Sequence, residues 1–150
     1  MFLKALECEQ DVKPKAMINL GLLYNTRGNM LAQTGDYSGS KEAALEGRKH
    51  LDAAKPLLEA MKAAGQLDDD LGQYLRQHRP LRLQNHRLLG QLLAATGDLA
   101  ACESEFRLAT ESFPDEPGAW QMLSKVLEAQ GKTAEAQGLV EKINRLLASR

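Results

Sequence analysis

The amino-acid sequence predicts an all-α fold in which antiparallel helix hairpins stack side by side, about eight helices in total. Three observations carry this expectation. His86 falls on Trp120, Leu89 on Leu123, Gly97 on Gly131, Cys102 on Ala136 and Phe106 on Val140, each pair 34 residues apart, the interval of a helix-turn-helix repeat. A glycine followed by a polar residue, Gly97-Asp98 and Gly131-Lys132, breaks each of these two units in the middle. Apolar residues recur at helical spacing on both sides of each break, so each unit reads as two antiparallel helices.

At these residues the chain resembles the tetratricopeptide repeat family, whose pattern is Trp-x2-Leu-Gly-x2-Tyr, then a small residue before a Phe, then Pro. The first unit has Leu89-Gly90, Cys102-x3-Phe106, Ala109 and Pro114; the second has Trp120-x2-Leu123, Ala136 and Val140. The departures are His86 for Trp, Leu93 and Leu127 for Tyr, and Ser124 for Gly. Most preserve apolar or small character, and His86 is the polar one. Small residues at Gly90, Cys102, Ala109 and Ala136 allow two helices to approach while Phe106 and Trp120 fill the space beside them. Trp120 is therefore expected to be substantially buried between adjacent hairpins. The resemblance implies a right-handed stack forming one repeat domain over residues 1–150. Within it, residues 1–64 form an N-terminal helix and an elongated hairpin, residues 65–82 an irregular helix and linker, and residues 83–148 two regular repeats. Such a resemblance speaks to fold and is nearly silent on function.

Taken in order, residues 1–10 place Phe2, Leu3, Ala5 and Leu6 on one side of a helix. Phe2-x2-Ala5 has the spacing of Phe106-x2-Ala109, so this segment resembles the second helix of a repeat whose first helix is missing. It is expected to be an edge that meets upstream residues or another subunit. From Pro14 the family pattern returns as Met17-x2-Leu20-Gly21-x2-Tyr24, yet the strong break comes at Gly35-Asp36, seven residues beyond Gly28. The second arm shows the same excess: Gly47 lies 12 after Gly35, whereas Cys102 lies 5 after Gly97. Seven residues are close to two helical turns, which lengthens a helix without rotating its buried face. Residues 14–34 and 40–64 are thus expected to form one hairpin with both arms extended, with Pro56 kinking or splitting the second arm. Gly65 ends it. Asp68, Asp69 and Asp70 then open a short helix over residues 67–78, where acids favour a helix start, with His78 near its end. Pro80 suits the first turn of the next helix.

Composition narrows the function classes. The 150-residue chain carries 19 Lys and Arg against 20 Asp and Glu, a net charge of −1, which gives no general attraction to nucleic acid or anionic membrane. RNA recognition also lacks a basic stripe and an aromatic array for base stacking. The two cysteines, Cys8 and Cys102, form no metal or disulfide spacing, so a reducing compartment such as the cytoplasm is expected. No signal peptide or membrane-spanning run is seen.

The catalytic inventory is sparse. His50 stands four residues from Glu46, an exposed ion pair rather than a dyad, since no nucleophile is near. His86 and Cys102 occupy packing positions of the repeat. Gly35 to Lys41 lacks the spacing of a phosphate loop. The three aspartates at 68–70 lack the convergence that calcium or magnesium requires and read as helix caps. The expectation is therefore no enzyme, no cofactor and no metal.

What remains is recognition. The resemblance implies that residues two, five, nine and twelve places into each first helix face a concave groove. These are Lys15, Ile18, Leu22 and Asn25, then Gln84, Arg87, Gln91 and Ala94, then Gly118, Gln121, Lys125 and Glu128. The set expected to bind a partner is Lys15, Ile18, Leu22, Asn25, Gln84, Arg87, Gln91, Gln121 and Lys125. The clamp that some members of the family close on a chaperone's C-terminal carboxylate is disfavoured, because the matching places carry Ile18, Leu22, Leu88, Gly118 and Met122. The expected function is a protein-protein interaction module that holds a peptide segment or protein surface in its groove. The alternative is a structural subunit of a larger complex that docks through its N-terminal edge.

Overall fold

A computed structural model describes residues 12–150; the helix expected at residues 1–10 lies outside the described residues, as does Cys8. Among the described residues the chain is all-helical, with α1 (Val12–Gln33), α2 (Tyr37–Ala63), α3 (Asp69–Ala95), α4 (Leu99–Ser112), α5 (Pro117–Ala129) and α6 (Thr133–Ala148). Gly35, Gly65, Gly97 and Gly131 stand just past the ends of α1, α2, α3 and α5 with φ of +85, +72, +86 and +80°. This left-handed conformation closes a helix C-terminus and is cheap only for glycine. Aspartates start the next helix in three cases. Asp36 accepts from Gly39 N at 2.9 Å, Asp68 from Leu71 N at 2.8 Å and Asp98 from Ala101 N at 3.1 Å, each satisfying a donor that a helix start leaves free.

The chain divides into two compact units, Met1–Asn85 and His86–Arg150, with the boundary inside α3. In the first, α1 and α2 form the long hairpin. A β-carbon added at Gly21 would stand 2.5 Å from the Leu51 side chain, and one added at Gly47 would stand 3.3 Å from Gly21 O. The two backbones are therefore in close approach where the sequence pattern places small residues. Ser40 Oγ donates to Gly28 O at 2.6 Å, tying the arms near the turn. Neither arm is split, and α2 passes through Pro56 unbroken.

The segment before the regular repeats corrects the sequence reading. Residues 67–78 do not form a separate short helix, and Pro80 does not begin a new one; α3 runs unbroken from Asp69 to Ala95 with Pro80 inside it. An interior proline costs about 3 kcal/mol by removing one backbone hydrogen bond and crowding the preceding turn. Anchors on one face of the helix offset that cost. His78 Nε2 donates to Leu51 O at 2.7 Å, Leu81 O accepts from Asn25 Nδ2 at 3.0 Å, Arg82 Nε reaches Asp52 at 2.7 Å, and Asn85 Nδ2 donates to Ala44 O at 2.7 Å. Positions 78, 81, 82 and 85 follow the i, i+3, i+4, i+7 spacing of a single stripe. Leu71 and Leu81 join Ile18, Leu51, Ala54 and Leu58 in the core of this unit. The first part of α3 thus packs on the hairpin, and His78 is buried in mid-helix rather than near a helix end.

The second unit has its own core. Cys102 and Phe106 of α4 meet Leu123, Val126 and Leu127 of α5 and Ala136 of α6, with Trp120 and Leu139 packed against them. The turns at Gly97-Asp98 and Gly131-Lys132 fall where the repeat pattern places them. Trp120 is half-buried, less enclosed than its place in the pattern suggests. Its Nε1 donates to Pro114 O at 2.9 Å, and the Lys142 ammonium lies 3.9 Å from the ring centre.

Candidate interaction groove

A cavity of about 520 Å³ opens in the second unit. Its apolar floor is formed by Leu99, Cys102 and Phe106 of α4 with Met122 and Val126 of α5. Arg87 and Gln91 of α3 and Gln121 and Lys125 of α5 supply the polar lining. All four are exposed, because each sits on the side of its helix opposite a buried stripe: Leu88, Leu89 and Leu92 in α3, and Leu123, Val126 and Leu127 in α5. Gly90 lets the cavity wall and the core share a boundary, since its backbone lies directly against the Phe106 ring. Gly118 opens the other wall, with no atom within 4 Å of where a β-carbon would stand.

Four of the nine residues expected to meet a partner, Arg87, Gln91, Gln121 and Lys125, come together here, along with Ala94 and Gly118. Glu128, one turn beyond Lys125, is exposed but does not line the cavity. Gln84 is exposed on α3 and belongs to the first unit. The other four lie in α1. Leu22 is exposed, and Lys15 is half-buried and pairs with Asp70. Ile18 and Asn25, which the repeat register assigns to a groove, are instead fully buried. The reason is the placement of α3: Leu71 and Leu81 cover Ile18, and Leu81 O accepts the Asn25 amide. At these two positions the face that the register leaves for a partner is occupied by the chain itself.

Asn25 belongs to a buried polar network. Asn85 Nδ2 donates to Asn25 Oδ1 at 3.0 Å as well as to Ala44 O, while Asn85 Oδ1 accepts from Arg48 Nε at 2.9 Å. Both donor hydrogens of the Asn85 amide are used, so this buried side chain has no orphaned donor. Its function is to fix α3 on the hairpin.

The titratable groups of the second unit read as structural. Burial pushes the Cys102 thiol up, with Glu105 and Asp98 adding to the effect, which keeps it protonated and a poor nucleophile. His86 is buried, donates from Nδ1 to Glu105 at 2.8 Å and stands edge-on to Phe113 at 6.2 Å. Glu103 is held below the usual carboxylate range by hydrogen bonds from Lys132 and Arg107, and Arg107 also reaches Glu135 at 2.6 Å. In the first unit, His50 pairs with Glu46 at 3.8 Å and stacks on Tyr24 at 5.6 Å. No helix among the described residues is long and apolar enough to cross a membrane.

The floor residues were visible in the sequence only as packing positions. Their second role follows from Cys102-x3-Phe106 reaching the inner wall of the cavity as well as the core. No protein-family model matches the chain, and no curated protein matches it.

Proposed function

We propose that this protein is a non-enzymatic interaction module of tetratricopeptide type, whose second unit holds a peptide segment of a partner protein. The observation that supports this reading is the cavity itself: an apolar floor beneath four exposed polar side chains, Arg87, Gln91, Gln121 and Lys125. Apolar clefts of about 300–1,000 Å³ with a few convergent polar groups are the usual form of a binding site. The right-handed stack implied by the family resemblance is part of the same proposal, as is a reducing cellular compartment.

Gly118 offers a direct test. It lies at the second position of α5 after Pro117, and a side chain there enters open space. Gly118→Trp should fill the cavity mouth without straining the fold. Peptides selected from a displayed library against the full chain should lose affinity for this variant while its melting temperature is unchanged. Selected peptides that bind both forms equally would place recognition elsewhere.

One observation favours a second reading, a structural subunit that docks on a larger complex, here through an exposed face of α1 rather than the edge expected at residues 1–10, which lies outside the described residues. Leu20, Leu23 and Met30 are exposed on one face of α1, Leu23 to 64% and Met30 to 62%, a large apolar exposure for a single helix face. Light scattering over a concentration series tests that reading, because a chain that remains monomeric and joins no complex through α1 would remove it.

A further inference from the structure

The chemistry of the cavity lining narrows the partner beyond the general reading of a peptide groove, on which this step rests. Arg87 and Lys125 are the charged residues of the lining, and no acid lines it. The other basic side chains around this unit are largely engaged: Arg107 with Glu103 and Glu135, Lys132 with Glu103, and Arg150 with Glu116. Arg87 and Lys125 make no hydrogen bond or ion pair with any described residue. Both project from different helices over the same apolar floor, and Glu128 on the turn after Lys125 does not turn back to neutralise it. Two like charges on one concave surface, neither held in an ion pair, raise the local potential and select a counter-charge.

We infer that this cavity takes an acidic peptide segment that carries a large apolar side chain. The apolar side chain seats on Phe106, Met122 and Val126, while flanking carboxylates pair with Arg87 and Lys125. Gln91 and Gln121 stand beside them with amides able both to donate and to accept, which suits the peptide backbone. The proposal differs from capture of a chain-terminal carboxylate, because the carboxylates here belong to side chains within the segment.

The test uses the full chain and four fluorescein-labelled peptides. The first has a Leu-Phe-Leu core flanked by two glutamates on each side and amidated at its C-terminus. In the others, the glutamates become glutamines, the glutamates become lysines, or the core becomes three serines. The first peptide should bind about tenfold more tightly than the glutamine form and show no measurable binding when its core is serine, with affinity falling as salt rises. Arg87→Glu with Lys125→Glu should reverse the preference toward the lysine peptide, and the milder Arg87→Gln with Lys125→Gln should abolish the preference. Equal binding of the glutamate, glutamine and lysine peptides, still lost in Gly118→Trp, would overturn the charge assignment and leave the groove reading standing. Binding of the first peptide that survives Gly118→Trp would overturn both, and absence of binding by the first peptide would overturn the inference.

Discussion

The backbone of Gly90 lies in close approach to the ring of Phe106: a β-carbon at position 90 would come within 2.2 Å of Phe106 Cε1. Gly21 has the same relationship to Leu51 in the long hairpin. The two pairs are separated by 16 and 30 residues along the chain (106 − 90 and 51 − 21). The difference of 14 is the two seven-residue extensions, one in each arm.

Gly90→Ala should therefore destabilise the protein. Overpacking typically costs about 1–3 kcal/mol, and the better helix propensity of alanine returns up to about 1 kcal/mol. A net loss of about 1–2 kcal/mol in urea unfolding is expected, with Phe106→Leu in the same chain relieving part of it. A neutral Gly90→Ala would contradict the close approach.

The Asn25–Asn85 network should be worth more than the ion pair beside it. Asn85→Ala strips Asn25 Oδ1 and Ala44 O of a buried donor and should cost about 2–3 kcal/mol. Asp52→Ala removes the exposed partner of Arg82 and should cost less than about 1 kcal/mol. Chemical denaturation of the two variants checks the order, and the reverse order would show that α3 is held chiefly by surface charge.

The pH dependence of stability should carry the imprint of His78. Burial depresses its pKa below the usual 6.5, chiefly by desolvation and against the hydrogen bond to Leu51 O. The unfolded chain then binds the proton more readily than the folded one. The contribution is present above the unfolded pKa and is lost as pH falls through the depressed folded value. His78→Gln keeps a donor without titrating. Between about pH 7 and 5 the wild type should lose stability faster than this variant, as read from urea midpoints at each pH. Parallel curves would mean that His78 is not held neutral.

Trp120→Ala tests the half-buried tryptophan. Full burial would give a loss of about 3–5 kcal/mol. With the ring covered on one side by Lys142 and its Nε1 bonded to Pro114 O, about 2 kcal/mol is expected. Trp120→Phe should retain most of the stability apart from that hydrogen bond.

Helix positions and turns were legible in the sequence because they depend on local chemistry: Gly35, Gly97 and Gly131 each supply a backbone conformation that other residues resist. The seven-residue extension was legible because it preserves helical phase. The path through Pro80 was not. Local propensity ends a helix there, and only contacts distant in sequence, from Leu51, Asp52, Asn25 and Ala44, carry α3 across it. The same cause hid the fate of Ile18 and Asn25. A repeat register assigns a residue to a helix face, and whether another segment covers that face is decided by tertiary packing. Arg87, Gln91, Gln121 and Lys125 could be grouped from the sequence because they lie on two helices in equivalent positions of adjacent repeats.

The most direct test of the groove is a map of backbone amide chemical shifts in the full chain as a library-selected peptide is added. The account predicts that the largest changes cluster at Gly90, Gln91, Gly118, Gln121 and Lys125 and disappear in Gly118→Trp. Changes confined to α1 and α2, with the second unit silent at saturation, would contradict it.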